Sequence, residues 1–64
     1  MTITIEGMHS AECERRVRFA LQQVAGLQVS EVRLGSAVVD GNAEQRAAAL
    51  KAIEHAEYQP HIAA

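Results

Sequence analysis

Apolar residues in this 64-residue chain repeat first at every second position and then at helical spacing, and the order of those rhythms admits very few folds. Met1-Thr2-Ile3-Thr4-Ile5-Glu6 alternates apolar and polar side chains, the period of a strand with one buried face. Gly7 breaks the alternation. Ser10 then offers an N-cap, and Glu12 and Glu14 suit the positive end of a helix dipole. Cys13, Val17, Ala20, Leu21 and Val24 form one apolar stripe, which ends at the stop signal Gly26. A second strand is predicted from Gln28 to Leu34, with Val32 and Leu34 facing inward. Gly35-Ser36 reads as a tight turn into Ala37-Val38-Val39-Asp40. Asn42 and Gln45 have the spacing of a capping box for a second helix, striped by Ala43, Ala47, Leu50 and Ile53. Tyr58 to Ile62 reads as a last strand, and Pro60, lacking an N–H, assigns it to a sheet edge. On this alternation His61 falls on the face opposite Tyr58 and Ile62. The order β-α-β-β-α-β predicts an α+β, ferredoxin-like sandwich: two helices on one face of a four-stranded antiparallel sheet, with residues 1–64 as a single domain.

A chain this short buries only about 60% of the surface it exposes when unfolded, so it needs efficient packing or a staple. Cys13 is the sole cysteine, which excludes an internal disulfide, and too few ligands cluster for a closed zinc knuckle. Phe19 and Tyr58 are the only aromatics, so the core must be aliphatic. A net charge of −2 and the lack of an interleaved basic-aromatic surface argue against a nucleic-acid partner. No apolar run is long enough for membrane insertion, and the N-terminus lacks the regions of a signal peptide. A lone free thiol fits a reducing compartment, so the expected location is cytoplasmic. Enzyme chemistry with Cys13 as nucleophile is disfavoured, because no base oriented by a third group is in view.

The segment Gly7-Met8-His9-Ser10-Ala11-Glu12-Cys13 is one cysteine short of a two-thiolate soft-metal loop. Two thiolates bind Cu(I) or Hg(II) almost linearly, whereas the hard, poorly ionised hydroxyl of Ser10 is a weak ligand for such ions. Two-sulfur coordination within one chain is therefore excluded. Cys13 sits where a helix dipole favours the thiolate, although Glu12 and Glu14 oppose that effect. His9 can swing over Cys13, and Glu12 can add an oxygen that favours Zn(II) or Co(II). Cys13, His9 and Glu12 are thus the candidate metal ligands. A second arrangement shares the metal between two chains, each giving Cys13. Against both stands a plainer reading, in which Cys13 is a small core hydrophobe and Glu12 only serves the dipole.

The chain resembles the heavy-metal-associated domains, the family of small copper chaperones, bacterial mercury-binding proteins and cytosolic modules of metal-pumping ATPases. The resemblance covers essentially the whole chain and rests on ordered segments. These are Ile5-Glu6-Gly7-Met8-His9, Cys13-Glu14-Arg15-Arg16-Val17, Ala20-Leu21, Val24-Ala25-Gly26-Leu27, Val32-Arg33-Leu34 and Ala52-Ile53-Glu54-His55-Ala56-Glu57-Tyr58. It departs where Ser10 replaces the family's first metal-binding cysteine, where Glu57 stands for the usual glycine, and in a shorter hairpin around Gly35-Ser36. The resemblance implies metal binding and transfer by ligand exchange, with Cu(I) as the expected ion and Zn(II) or Co(II) as alternatives from the altered ligands. It implies a metal-transporting ATPase or other acceptor domain as partner, with a metal-bridged homodimer through Cys13 as a variant. It implies that Met8 turns inward beneath the loop, that His9 faces solvent, and that Tyr58 shields the site or hydrogen-bonds a sulfur. Arg15, Arg16 and Arg18 would help dock an acidic partner. From the residues alone they read first as a solvated flank with Glu12–Arg16 and Glu14–Arg18 pairs, a reading compatible with docking. Phe19 lies off the apolar stripe and is expected to be partly exposed. His55 reads as a cap in the last turn of the second helix rather than as a ligand. A degenerate domain that acts by protein interaction without metal is the alternative function.

Overall fold

Alternation puts Ile3 and Ile5 of β1 (Thr2–Glu6) into the core and leaves Thr2, Thr4 and Glu6 exposed. The other elements follow in the computed structural model, which describes residues 1–62, as α1 (Ala11–Gln22), β2 (Gln28–Arg33), β3 (Ser36–Asp40), α2 (Ala43–His55) and β4 (Gln59–Ile62). The strands form one antiparallel sheet in the order β2-β3-β1-β4. Pro60 accordingly lies on an edge strand, paired with Ile5. Helix α1 packs over β2, α2 packs over β4, and the two helices touch each other. The core between helices and sheet is aliphatic. Ile3, Leu21, Ile53, Val17 and Val39 are its largest fully buried side chains, joined by Ile5, Val32, Ala37, Ala49, Met8 and Tyr58. The capping box of α2 is complete, with Asn42 accepting from the Gln45 N–H and the Gln45 side chain accepting from the Asn42 N–H, both at 2.8 Å.

Several local expectations are corrected. Leu34 does not face inward but is 54% exposed. Arg33 pairs with Ser36, so Leu34 and Gly35 form the two-residue turn and Ser36 already belongs to β3. The left-handed φ of 88° falls on Gly35, where glycine carries no Cβ penalty. Between Val29 and Glu31 the β2 register shifts by a bulge, so Val29 and Val32, three residues apart, both meet the core. Helix α1 ends at Gln22, before Gly26, as the Gln23 and Val24 N–H groups tighten onto Ala20 and Leu21 carbonyls. In α2 the buried residues are Ala49 and Ile53, while Ala43 and Ala47 are exposed. Ile62, the partner of Ile3 on the edge strand, is 62% exposed.

Glu57 is the one non-glycine residue with a positive φ, 72°, among the described residues. An L side chain in that region crowds the following carbonyl. Glu57→Gly should therefore stabilise the fold by about 0.5–1 kcal/mol in urea unfolding. Ile53→Ala should cost about 2–5 kcal/mol in the same assay, whereas Leu34→Ala should stay within about 0.5 kcal/mol.

Candidate metal centre

The loop from β1 to α1 is held from below and from the side. Gly7 turns the chain with φ 98°, and a Cβ there would stand 3.4 Å from Cδ1 of the Tyr58 ring. Met8 is buried, and its Sδ accepts the Gly35 N–H at 3.4 Å, tying the loop to the β2–β3 turn. His9 and Ser10 follow at the surface, and Cys13 is half-buried against the edge of the core. Ser10 occupies the N-cap position with extended backbone (φ −153°, ψ 168°), and its carbonyl accepts the Cys13 N–H at 3.0 Å. Its hydroxyl, expected to cap the helix, makes no cap hydrogen bond and instead donates to Cys13 Sγ at 3.7 Å.

Around the sulfur the donors converge. The Cys13 thiol is lowered from 9.0 to about 7, chiefly by hydrogen bonding from the Tyr58 hydroxyl, then by the His9 backbone and the Ser10 hydroxyl, which together outweigh burial. Tyr58, approaching from the α2–β4 connection, is itself pushed up, first by that bond to Cys13 and then by burial. Arg16 lies behind Tyr58. Its pKa is raised first by the Tyr58 hydroxyl and then by Glu12, whose carboxylate is 3.3 Å from the guanidinium. At the head of α1, Glu12 pairs with Arg16 and Ser10 with Cys13, and Tyr58 influences both Arg16 and Cys13.

This arrangement does not gather the expected ligands into one shell. Among the described residues, no three His, Cys, Asp or Glu side chains lie close enough together to hold a metal ion. Glu12 and Cys13 are consecutive in a helix, about 100° apart around its axis, and Glu12 is turned to Arg16. The exposed His9 meets the sulfur through its backbone. Glu12–Arg16 forms as the spacing suggests, whereas no Glu14–Arg18 ion pair is present among the described residues. The sequence places Arg16 in a basic flank and in a pair with Glu12, but not beside Tyr58. Arg16's spacing of three residues from Cys13, one helical turn, was the available signal, but its contact with Tyr58 depends on α2. Phe19 is 65% exposed and, with Arg15, Arg16, Ala20, Ala52 and Ala56, lines an open groove of about 670 Å³ between the helices. His55 lies in the last turn of α2. His61 stands on the open sheet face, its Nε2 2.9 Å from the Glu6 carboxylate.

A βαββαβ sandwich that carries a thiol at the head of its first helix, beside a buried tyrosine, has the architecture of a small metal-binding module. The family model of the heavy-metal-associated domain matches residues 2–59, and the chain belongs to that family. Metal binding is accordingly its function at the level of the family. Among solved structures, the crystal structure of the CopA C-terminal metal binding domain is similar, with a TM-score of 0.76 and 37% identity over 92% of this chain and 81% of that one. No curated protein sequence matches the chain significantly. No helix among the described residues is long and apolar enough to cross a membrane.

The lowered thiol has a pH signature. Alkylation of Cys13 by iodoacetamide should rise with a midpoint of about 7 rather than 9.0, and Tyr58→Phe should move that midpoint upward. Because the folded thiol titrates below the unfolded one, the thiolate adds stability that is fully present above pH 9.0 and is lost as pH falls through about 7. Urea midpoints of wild type and Cys13→Ala, compared across that interval, should diverge in the alkaline direction.

Proposed function

We propose that this chain binds a soft or borderline transition-metal ion through Cys13 and passes it to an acceptor domain by ligand exchange. The carrying observation is a partly accessible thiol at the head of α1, lowered to about 7 by the donors around it, in a chain of the heavy-metal-associated family. Cu(I) is the first expectation, because a thiolate suits soft ions, and Zn(II) or Co(II) follow if nitrogen or oxygen completes the shell. His9 is a further donor in the loop, while Glu12 would first have to leave Arg16. One chain supplies one thiolate, so a second thiolate comes from an acceptor domain, such as that of a metal-transporting ATPase, or from Cys13 of a second copy. An incoming thiolate bonds to the metal, the Cys13–metal bond then breaks, and the Tyr58 and Ser10 hydroxyls receive the freed thiolate. The module acts in the cytoplasm as a one-domain chaperone or as part of a pump, and it catalyses no covalent chemistry of its own.

A second reading, an interaction module without metal, is favoured by the open groove around Phe19 between α1 and α2. Titration of reduced protein with Cu(I), Zn(II), Co(II) and Hg(II) against a competing chelator separates the two. Cys13→Ala should weaken binding by more than about 100-fold, beyond the change expected from losing an outer-shell contact, and His9→Ala by roughly 10-fold. The Co(II) complex should show a thiolate charge-transfer band that Cys13→Ala removes. Equal affinities for wild type and Cys13→Ala would leave the interaction reading.

A further inference from the structure

We infer that Ser10 is a positioning residue for the Cys13 sulfur, its hydroxyl donating to Sγ and easing release of a metal held there. The inference rests on the metal-transfer reading for its consequence, though not for the contact itself. The residue stands where a serine ordinarily satisfies a free amide of the first helical turn, yet its hydroxyl makes no such bond. It points instead to Sγ, at 3.7 Å, a distance within hydrogen-bonding reach of a large, diffuse sulfur. The backbone holds that separation, because the Ser10 carbonyl accepts from the N–H groups of Cys13 at 3.0 Å and Glu14 at 3.3 Å. The hydroxyl is therefore delivered to the thiolate by the same turn that starts the helix.

An O–H···S bond draws electron density from a thiolate. While a metal is bound, this weakens the metal–sulfur bond, and once the metal leaves, it stabilises the free thiolate. Both effects act in the direction of exchange. Tyr58 lowers the same thiol more strongly than Ser10 does, so removal of the Ser10 hydroxyl should change rates modestly.

The test compares wild type, Ser10→Ala and Ser10→Thr. In metal-free protein at about pH 10, where the sulfur is a thiolate in every variant, Ser10→Ala should raise the iodoacetamide alkylation rate roughly threefold and Ser10→Thr should restore it. With Cu(I) loaded, transfer to an excess of chelator should slow by a similar factor in Ser10→Ala and recover in Ser10→Thr. The thermal midpoint at about pH 5, where the sulfur is a thiol in every variant, should be the same in Ser10→Ala as in wild type, because no cap bond is lost. An unchanged alkylation rate together with a lowered midpoint would make Ser10 an ordinary cap and overturn the inference. The alkylation pattern without metal binding in any variant would uphold the Ser10 donor and overturn metal transfer.

Discussion

The contact between Ile3 and Ile5 of the inner strand and Val17, Leu21 and Ile53 of the helices is the interaction on which the rest depends. With no disulfide available, that aliphatic layer has to hold both helices to the sheet. It also sets the site. Packing Val17 and Leu21 into the core fixes how the chain crosses from Glu6 to Ala11, and the crossing is the loop that carries His9 and Ser10. Cys13 lies one turn before Val17, so the stripe that anchors the helix brings the thiol to the rim of the core.

The electrostatics of the site grow from this placement. A lone thiolate at the surface is ordinarily stabilised by little beyond a helix dipole, and two glutamates in the first turn work against even that. Here Tyr58, a core residue by burial, is the group that lowers the thiol most, and it also raises Arg16. The hydrogen bonds outweigh the desolvation of the sulfur. Met8 contributes differently. Its sulfur is engaged by the Gly35 amide, so it braces the loop against the hairpin from beneath.

Much of the architecture was legible because period-two and helical patterns are local statements about burial. The β1 alternation, the Asn42–Gln45 capping box and the edge position of Pro60 all depend on residues close in sequence or on a missing N–H. Expectations failed where a residue's side depended on something nonlocal. Leu34 continues the inward phase of Val32 on paper, but the turn removes it from the ladder before the phase matters. Ala43 and Ala47 share a helical stripe with Leu50, yet α2 meets the sheet through Ala49 and Ile53. Glu57 adopts a left-handed backbone because the entry into β4 demands it, a requirement its own side chain does not announce. At the site, Cys13, Ser10 and Tyr58 were readable as candidates from the loop and the family resemblance. The Glu12–Arg16 pair that turns Glu12 away from Cys13 is legible from its i, i+4 spacing, and it competes with Glu12's role as a ligand.

By itself the sequence determined the order of elements, the aliphatic nature of the core and the presence of one thiol at a helix start. These follow from side-chain periodicity, composition and the single cysteine. Only the tertiary structure decided what surrounds that thiol. Tyr58 lies 45 residues away along the chain, as the numbering gives, and reaches Cys13 only because α2 packs beside α1 and returns the chain beneath the loop. A hydrogen bond acts over a few ångströms, so the character of Cys13 is set by which distant groups the packed core brings within that range.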